Sequence, residues 1–144
     1  MKIRKATKKD FENYLKIILE KFEEGKNKIP SKSSIKKEFD RIISSNEDIL
    51  IFSEEDGKIM GYIHGKLKRN YWSSGGNIEY LFISKKYRRR GIATKLINEF
   101  VLMMKKKKNF VKVTLMVNIK NRNAEKLYRK LGFETTNKVM RKKL

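Results

Sequence analysis

The stretch Tyr87–Leu96, YRRRGIATKL, sets three arginines and a glycine directly before a segment of helical periodicity. The first backbone N–H groups of a helix have no intrahelical partner and carry the positive end of the helix dipole. Gly91 permits a tight turn there, and Arg88–Arg90 add donors suited to phosphate oxygens. The stretch therefore predicts a corner that holds a pyrophosphate. A solvated basic turn before a helix has the same short pattern, so the surrounding elements must decide.

The N-terminal part of the chain predicts one strand and two helices. Lys2–Lys5 is a short strand candidate, and Thr7, followed three residues later by an aspartate, resembles a capping box. The first helix is predicted to end at Gly25. A second helix is predicted to follow Ser33 or Ser34. Each helix has an apolar stripe at helical spacing: Phe11, Leu15, Ile18 and Phe22 in the first, and Ile35, Phe39, Ile42 and Ile43 in the second.

From Ile49 the apolar pattern changes to that of strands. Asp56-Gly57 separates two such runs and predicts a β-hairpin. The insert 70–77, NYWSSGGN, is expected to form a flexible turn before a strand with the sequence NIEYLFIS. Alternation along that strand predicts that one face carries Glu79, Leu81 and Ile83 and the other carries Tyr80 and Phe82.

The arginine corner leads into a third helix, which ends near the run KKKKN and carries the stripe Ile92, Leu96, Ile97, Phe100, Val101 and Met104. Val111–Val117 then predicts a strand parallel to the preceding one, through a right-handed crossover. Asn121 can cap a fourth helix that stops at Gly132, and the tail 133–144 is expected to form a closing hairpin. This order predicts an α/β protein with a mixed sheet and helices on its faces. No linker or repeat interrupts it, so residues 1–144 are expected to form one domain.

The charge balance is strongly basic, with 37 Lys and Arg against 16 Asp and Glu and a net charge of +21. This field attracts phosphates, nucleic acids and anionic membranes. The lysines are scattered along the chain, which fits a general bias in composition as well as a nucleic-acid surface. With no cysteine and only His64, the chemistry must use oxygens and amines, and no metal is expected. The polar N-terminus and the lack of a long apolar run predict a cytoplasmic protein without a membrane segment.

A second motif favours the pyrophosphate corner over a solvated basic turn. The segment 118–133, NIKNRNAEKLYRKLGF, contains N-x-x-A-x-x-x-Y followed by Gly-Phe. Together with the strand that leads into YRRRGIATKL, it resembles the GCN5-related N-acetyltransferase (GNAT) superfamily over nearly the whole chain. The resemblance implies a GNAT fold, with a central mixed and mostly antiparallel sheet flanked by helices on both faces. It also implies acetyl-CoA as co-substrate, an amine acceptor and, as is common among relatives, a possible homodimer.

The resemblance also implies which residues bind the cofactor. Arg88 occupies the first position of the pyrophosphate motif, and the rest of the loop is Arg89, Arg90, Gly91, Ile92, Ala93 and Thr94. Ala93 stands where glycine is commoner in the family. Leu81 and Ile83 match strand positions whose backbone groups bind the pantetheine arm, and Asn121 matches an asparagine near that arm. Leu81 and Ile83 are equally explained by core packing.

Acetyl transfer requires a deprotonated amine, because a protonated amine has no lone pair. Glu79 matches a position where family members often carry a catalytic base, acting directly or through a water. Tyr128 matches the position of the general acid that protonates the leaving thiolate. Their alternatives are a charged residue at a strand end and an aromatic packing residue. His64, Tyr71 and Trp72 are weaker candidates on the acceptor side.

Two other functions remain open. A basic nucleic-acid-binding or ribosome-binding module on the same fold would account for the net charge, although the chain lacks the clustered aromatic and basic residues of an RNA-recognition motif. A non-catalytic acyl-CoA sensor would bind the cofactor without needing Glu79 or Tyr128. We expect an N-acetyltransferase that transfers acetyl to a primary amine of a small molecule or a peptide.

Overall fold

The computed structural model describes residues 1–144 and contains five strands and four helices. The strands are β1 (Lys2–Lys5), β2 (Asp48–Glu55), β3 (Lys58–Lys68), β4 (Ser74–Ile83) and β5 (Phe110–Leu115). The helices are α1 (Phe11–Glu24), α2 (Lys32–Ser44), α3 (Ile92–Lys105) and α4 (Arg122–Lys130). Short 3-10 turns precede α1 and follow β4.

The strands form one sheet in chain order, β1-β2-β3-β4-β5. Every neighbouring pair is antiparallel except β4 and β5, which are parallel and are joined through α3. The mixed, mostly antiparallel sheet predicted from the sequence is thus confirmed. A parallel pair requires a crossover, and here the crossover helix begins just beyond the carboxyl end of β4.

Helices cover both faces of the sheet. On one face, α1 and α2 pack a cluster of aromatic and aliphatic side chains that includes Tyr14, Phe39, Phe52 and Tyr62. On the other face, α3 packs against the strands through Leu96, Ile97, Phe100 and Met104. Side chains of α4 pack at the edge of this second cluster.

Local sequence signals explain how the first two helices begin. The Asp10 carboxylate accepts a hydrogen bond of 2.7 Å from the Thr7 backbone N–H, as the capping-box pattern predicts. The second helix begins at Lys32, earlier than expected. Its N-cap is Ser31, whose Oγ accepts from the Ser34 N–H at 3.1 Å. The prediction chose the wrong serine because any serine in the run Ser31–Ser34 can cap a helix.

The β2–β3 hairpin is confirmed, with left-handed backbone at both Asp56 and Gly57 as a type I′ turn requires. The expected turn at 70–77 is shorter than predicted, because β4 already begins at Ser74. Glycine fits this strand because α3 lies close above it. A Cβ at Gly76 would come within 2.6 Å of Met104 Sδ.

The closing hairpin predicted for residues 133–144 is wrong. The segment after α4 contains no strand, and most of its side chains are exposed. β5 therefore lies at the edge of the sheet. None of the helices is both long and apolar enough to cross a lipid bilayer.

Candidate active site

The N-terminus of α3 presents an uninterrupted row of free backbone donors. The first hydrogen bond of the helix runs from Lys95 N–H to Gly91 C=O, and none of the six N–H groups from Arg89 to Thr94 donates within the protein. Arg89 and Gly91 both have left-handed backbone, with φ of 65° and 74°. Left-handed residues are typical of backbone loops that bind anions. A Cβ at Gly91 would meet no atom within 4 Å, so the space in front of the corner is open.

Of the three arginines beside this corner, two are engaged with protein groups. Arg88 donates to the Ile83 carbonyl at 3.0 Å and to Glu24 of α1 at 2.5 Å. The bond from Arg88 lowers the pKa of the Glu24 carboxyl. Arg90 forms a salt bridge of 3.2 Å with Glu55 at the end of β2. Arg89 forms no salt bridge, so it is the arginine of this stretch that an anion meets unpaired.

The other residues of the predicted pyrophosphate loop offer mainly their backbone. Ile92 is buried in the α3 cluster, and Ala93 and Thr94 are half-buried. Their N–H groups point out of the first turn of the helix, whereas the Ile92 side chain stabilises the core. The loop therefore combines a side chain packed in the core with an exposed row of backbone N–H donors.

Next to this corner, β4 and β5 separate. Their pairing ends at Ile78 and Leu115, although β4 continues to Ile83. The antiparallel ladder on the other side of β4 includes the bond from Ser84 N–H to Met60 C=O. Because hydrogen-bonded pairs alternate along such a ladder, Leu81 and Ile83 turn their backbone groups away from β3, into the gap. The Ile83 carbonyl is taken by Arg88, which leaves both N–H groups and the Leu81 carbonyl free.

A β-bulge marks the point where the strands separate. His64 pairs with Tyr80 and Gly65 pairs with Ile78, so Glu79 is an extra residue without a partner in β3. The bulge breaks the alternation predicted for β4. Ile78, Leu81 and Ile83 contact the α3 cluster. The expectation that Glu79 shares their face is therefore wrong.

The Glu79 carboxylate instead lies on the face that α1 and α2 cover. Its Oε1 accepts a hydrogen bond of 2.6 Å from Asn77 Nδ2, and Asn77 Oδ1 in turn accepts from Thr114 Oγ1 at 2.9 Å. Asn77 and Thr114 stand opposite the side chains that pack under α3. The exposed carboxylate is thereby held beside the start of the gap, on the side open to an incoming molecule.

Tyr128 lies in α4, half-buried against the α3 cluster, with its ring 5.9 Å from that of Phe133 in an edge-to-face contact. Burial raises the pKa of the Tyr128 phenol, so the hydroxyl remains protonated at neutral pH. Asn121 caps the same helix through its Oδ1, which accepts from the Ala124 N–H at 3.2 Å. Its Nδ2 donates no hydrogen bond within the protein.

The face that carries Glu79 also holds groups that the sequence did not single out. Lys21 of α1 lies with its Nζ 3.7 Å from the centroid of the Tyr80 ring. Burial lowers the pKa of the Lys21 ammonium to about 8. The sequence of α1 indicates only that Lys21 lies beside the apolar stripe. It does not predict the contact with aromatic rings, because Tyr62 and Tyr80 come from strands distant in the chain.

His64 has a structural environment, as its place in a strand suggested. Its Nε2 lies 2.6 Å from Asp48 Oδ1, and its ring stacks on Tyr80 with centroids 6.0 Å apart. Burial opposes ionisation of Asp48, but hydrogen bonds from Arg41, Ser45 and His64 and the charge of Arg41 outweigh it and lower the pKa of Asp48 to about 2. Tyr71 and Trp72 are 90% and 89% exposed and contact each other edge-to-face.

Comparison with known proteins identifies the family. Residues 18–143 match the family described as acetyltransferase (GNAT) domain. The chain belongs to the GNAT acetyltransferase family, as its motifs predicted.

Two curated relatives come from archaea. One, described as an uncharacterized N-acetyltransferase of Methanocaldococcus jannaschii, is 28% identical over 92% of this chain and 60% of its own length. The other, an N-alpha-acetyltransferase of Sulfurisphaera tokodaii, is 31% identical over 66% of this chain and 61% of its own length. The chain thus spans about three fifths of the length of these curated relatives.

Among solved structures, the aminoglycoside N-acetyltransferase AAC(6')-Iy in complex with a CoA-containing bisubstrate analogue superimposes with a TM-score of 0.84. The alignment covers 99% of this chain and 97% of that one at 20% identity. At this identity the likeness shows that the two proteins share a fold.

Proposed function

We propose that the protein is an acetyl-CoA-dependent N-acetyltransferase that transfers acetyl directly to a primary amine in a ternary complex. The observation that carries this proposal is the row of six free N–H groups at the start of α3, next to the gap between β4 and β5. A pyrophosphate needs such a row of donors. An extended amide chain like pantetheine needs free strand groups, which Leu81 and Ile83 provide.

Different residues of the site bind different parts of the cofactor. The N–H groups of Arg89–Thr94 and the unpaired Arg89 side chain bind the pyrophosphate, whereas Arg88 and Arg90 fix the loop to neighbouring elements. The Leu81 and Ile83 backbone groups bind the pantetheine amides. Asn121 Nδ2 is available to the same arm from the side of α4.

Glu79 is the proposed base because it lies at the point where the gap opens. An ammonium group has no lone pair, so it must release a proton to Glu79, directly or through a water, before it attacks the thioester carbonyl. The nitrogen then forms the new C–N bond, the C–S bond breaks, and the nitrogen loses its second proton to solvent, which reprotonates Tyr128 after it has protonated the leaving sulfur. The Asn77 Nδ2 hydrogen bond orients the carboxylate for this transfer.

Tyr128 is the proposed acid for the leaving group. The departing sulfur carries a negative charge until it receives a proton, and the phenol holds that proton at neutral pH because burial raises its pKa. The chain has no cysteine to form an acetyl-thioester, which is consistent with direct attack.

The acceptor is proposed to be a primary amine on a peptide or small molecule that is not polycationic. The curated relative from Sulfurisphaera tokodaii is named an N-alpha-acetyltransferase, which supports an α-amino group. The net charge of +21 disfavours an acceptor with several positive charges.

Isothermal titration with acetyl-CoA tests the cofactor assignment. Gly91→Glu places bulk and negative charge in the open space of the corner, so we expect binding to be lost. Gly57→Glu is the matched control, because Gly57 also has left-handed backbone and open space but lies in the turn of the β2–β3 hairpin, outside the row of free N–H groups. Wild-type protein that fails to bind acetyl-CoA would contradict the proposal. Steeply salt-dependent RNA binding in its place would favour the nucleic-acid module.

A further inference from the structure

Lys21 is a half-buried cation without an acidic partner. Its Nζ lies 3.7 Å from the centroid of the Tyr80 ring and 5.9 Å from that of Tyr62. The lysines that form salt bridges are Lys32 and Lys36, both on α2. Burial is the one influence that shifts the pKa of Lys21, so no carboxylate offsets its loss of hydration. An anion placed beside the Lys21 ammonium would supply that missing counter-charge.

The arginines around this face are, by contrast, already paired with carboxylates. Arg88 binds Glu24 at the end of α1, and Arg41 binds Glu38 and Asp48 near the other end of the sheet. Their charges are neutralised within the protein. Lys21, unlike these arginines, has no carboxylate partner and remains available to a ligand.

The position of Lys21 relates it to the proposed acceptor site. The Lys21 ammonium lies over the ring of Tyr80, and Tyr80 directly follows Glu79 in β4. Both side chains lie on the face covered by α1 and α2, at the start of the strand gap. An amine that reaches Glu79 therefore passes close to Lys21, and a negative group a few bonds from that amine can contact the Lys21 ammonium.

We propose that Lys21 binds a carboxylate of the acceptor, so that the protein prefers amines that carry an acidic group a few bonds away. An acidic residue next to a free α-amino group has this arrangement. The inference rests on the proposed function, since it assumes that an amine is delivered to Glu79. The overall positive field would draw such acceptors toward the site more strongly than neutral ones.

The test uses two tetrapeptide amides that differ only in having glutamate or glutamine at the second position. Acetylation is followed by the mass of the peptide and by release of free thiol. We expect kcat/KM of the wild type to be at least about tenfold higher for the glutamate peptide, as a charge-assisted contact provides. Lys21→Met should reduce this preference to near unity, and Lys21→Arg should retain it.

Lys16→Met is the matched control, because it removes the same charge from an exposed position of the same helix. It should leave the preference for the glutamate peptide unchanged. Equal rates for the two peptides in the wild type, or a preference that survives in Lys21→Met, would overturn the inference.

Binding measurements separate this inference from the proposed reaction. Each peptide is titrated into the full chain saturated with coenzyme A, which has no acetyl group to transfer. Tighter binding of the glutamate peptide that is lost in Lys21→Met supports the carboxylate site even if neither peptide is acetylated in the rate assay. Equal binding of both peptides overturns the carboxylate site even if both are acetylated.

Discussion

The bulged residue Glu79 shows how one extra amino acid in a strand redirects a functional group. Without the bulge, strict alternation would turn the carboxylate toward α3, among apolar side chains. With the bulge, the carboxylate is exposed on the face that α1 and α2 cover, and it accepts a hydrogen bond of 2.6 Å from Asn77. The same bulge lies where β4 leaves β5, so the proposed base and the gap between the two strands lie at the same irregularity.

Glu79→Gln should lower kcat/KM about 100-fold to 1,000-fold near neutral pH, because the amide cannot accept a proton from the amine. The deficit should shrink as the pH rises, since a growing fraction of the acceptor amine is then already deprotonated. A pH–rate profile of the wild type and the variant measures this. Equal profiles would exclude Glu79 as the base, whereas acetyl-CoA binding without any acetylation by the wild type would favour the acyl-CoA sensor.

Tyr128→Phe should lower kcat while leaving the dissociation constant for acetyl-CoA nearly unchanged. The ring that packs on Phe133 is retained, and only the proton donor is lost. Steady-state kinetics and calorimetry give the two quantities. Tyr71→Phe, the same chemical change at a residue that is 90% exposed, should change neither.

At the scale of the element, a buried carboxylate joins α2 to the sheet beside their apolar contacts. Asp48 begins β2 and accepts hydrogen bonds from Arg41 of α2 and from His64 of β3. Its side chain is 1% exposed, and its pKa is lowered to about 2 from an ordinary 3.8. Ionised Asp48 therefore links two strands and a helix on the face of the sheet that α1 and α2 cover.

Acid should weaken this link in a defined range. Because the folded-state pKa of Asp48 is below its unfolded value, its stabilisation is present above pH 3.8 and is lost as the pH falls toward 2. The loss should amount to about 2 kcal/mol of unfolding free energy. Denaturant unfolding as a function of pH measures it, and Asp48→Asn should remove this part of the pH dependence.

Asp40→Asn is the control for this experiment. Asp40 is also paired with a basic residue on α2, but its side chain is 55% exposed. Its removal should leave the acid dependence of unfolding as in the wild type. A wild-type acid profile in Asp48→Asn would mean that other carboxylates cause the loss.

The elements differ in how far their sequence predicts them. α1 follows from its apolar stripe and capping box, and the β2–β3 hairpin from Asp56-Gly57, because these signals act between neighbouring residues. The start of β4 does not follow, since its glycines suggest a turn. They occur in a strand because α3 packs closely above, a contact that residues distant in the chain provide.

The candidate site also has features that local sequence predicts and features that depend on distant contacts. The row of donors at α3 was predictable from a glycine at the start of an amphipathic segment. Neither the pairing of Arg88 and Arg90 with carboxylates nor the bulge at Glu79 was predictable, because both depend on which strands and helices become neighbours. The closing hairpin was predicted wrongly from a tail in which most side chains after Phe133 are exposed.

At the scale of the whole molecule, the net charge of +21 acts on every anionic ligand. Salt screens this long-range attraction but affects short contacts between uncharged groups much less. The charge should therefore contribute to the binding of the phosphates of acetyl-CoA and not to that of its pantetheine arm.

The dissociation constant for acetyl-CoA should accordingly rise about tenfold between about 0.05 M and about 0.5 M NaCl. S-acetylpantetheine, which lacks the phosphates, should bind more weakly and with little dependence on salt. Calorimetry with both ligands measures the difference. The same salt dependence for both would contradict an electrostatic contribution from the phosphate corner.

The gap between β4 and β5 has a consequence for the protein in storage and in the cell. Free N–H and C=O groups on a strand are the kind of edge onto which a strand from another molecule adds, which starts aggregation. A bound pantetheine arm would occupy Leu81 and Ile83 and conceal this edge. Bound coenzyme A would then protect the protein from aggregation. Its depletion would shorten the lifetime of the folded chain before a loss of activity is measured.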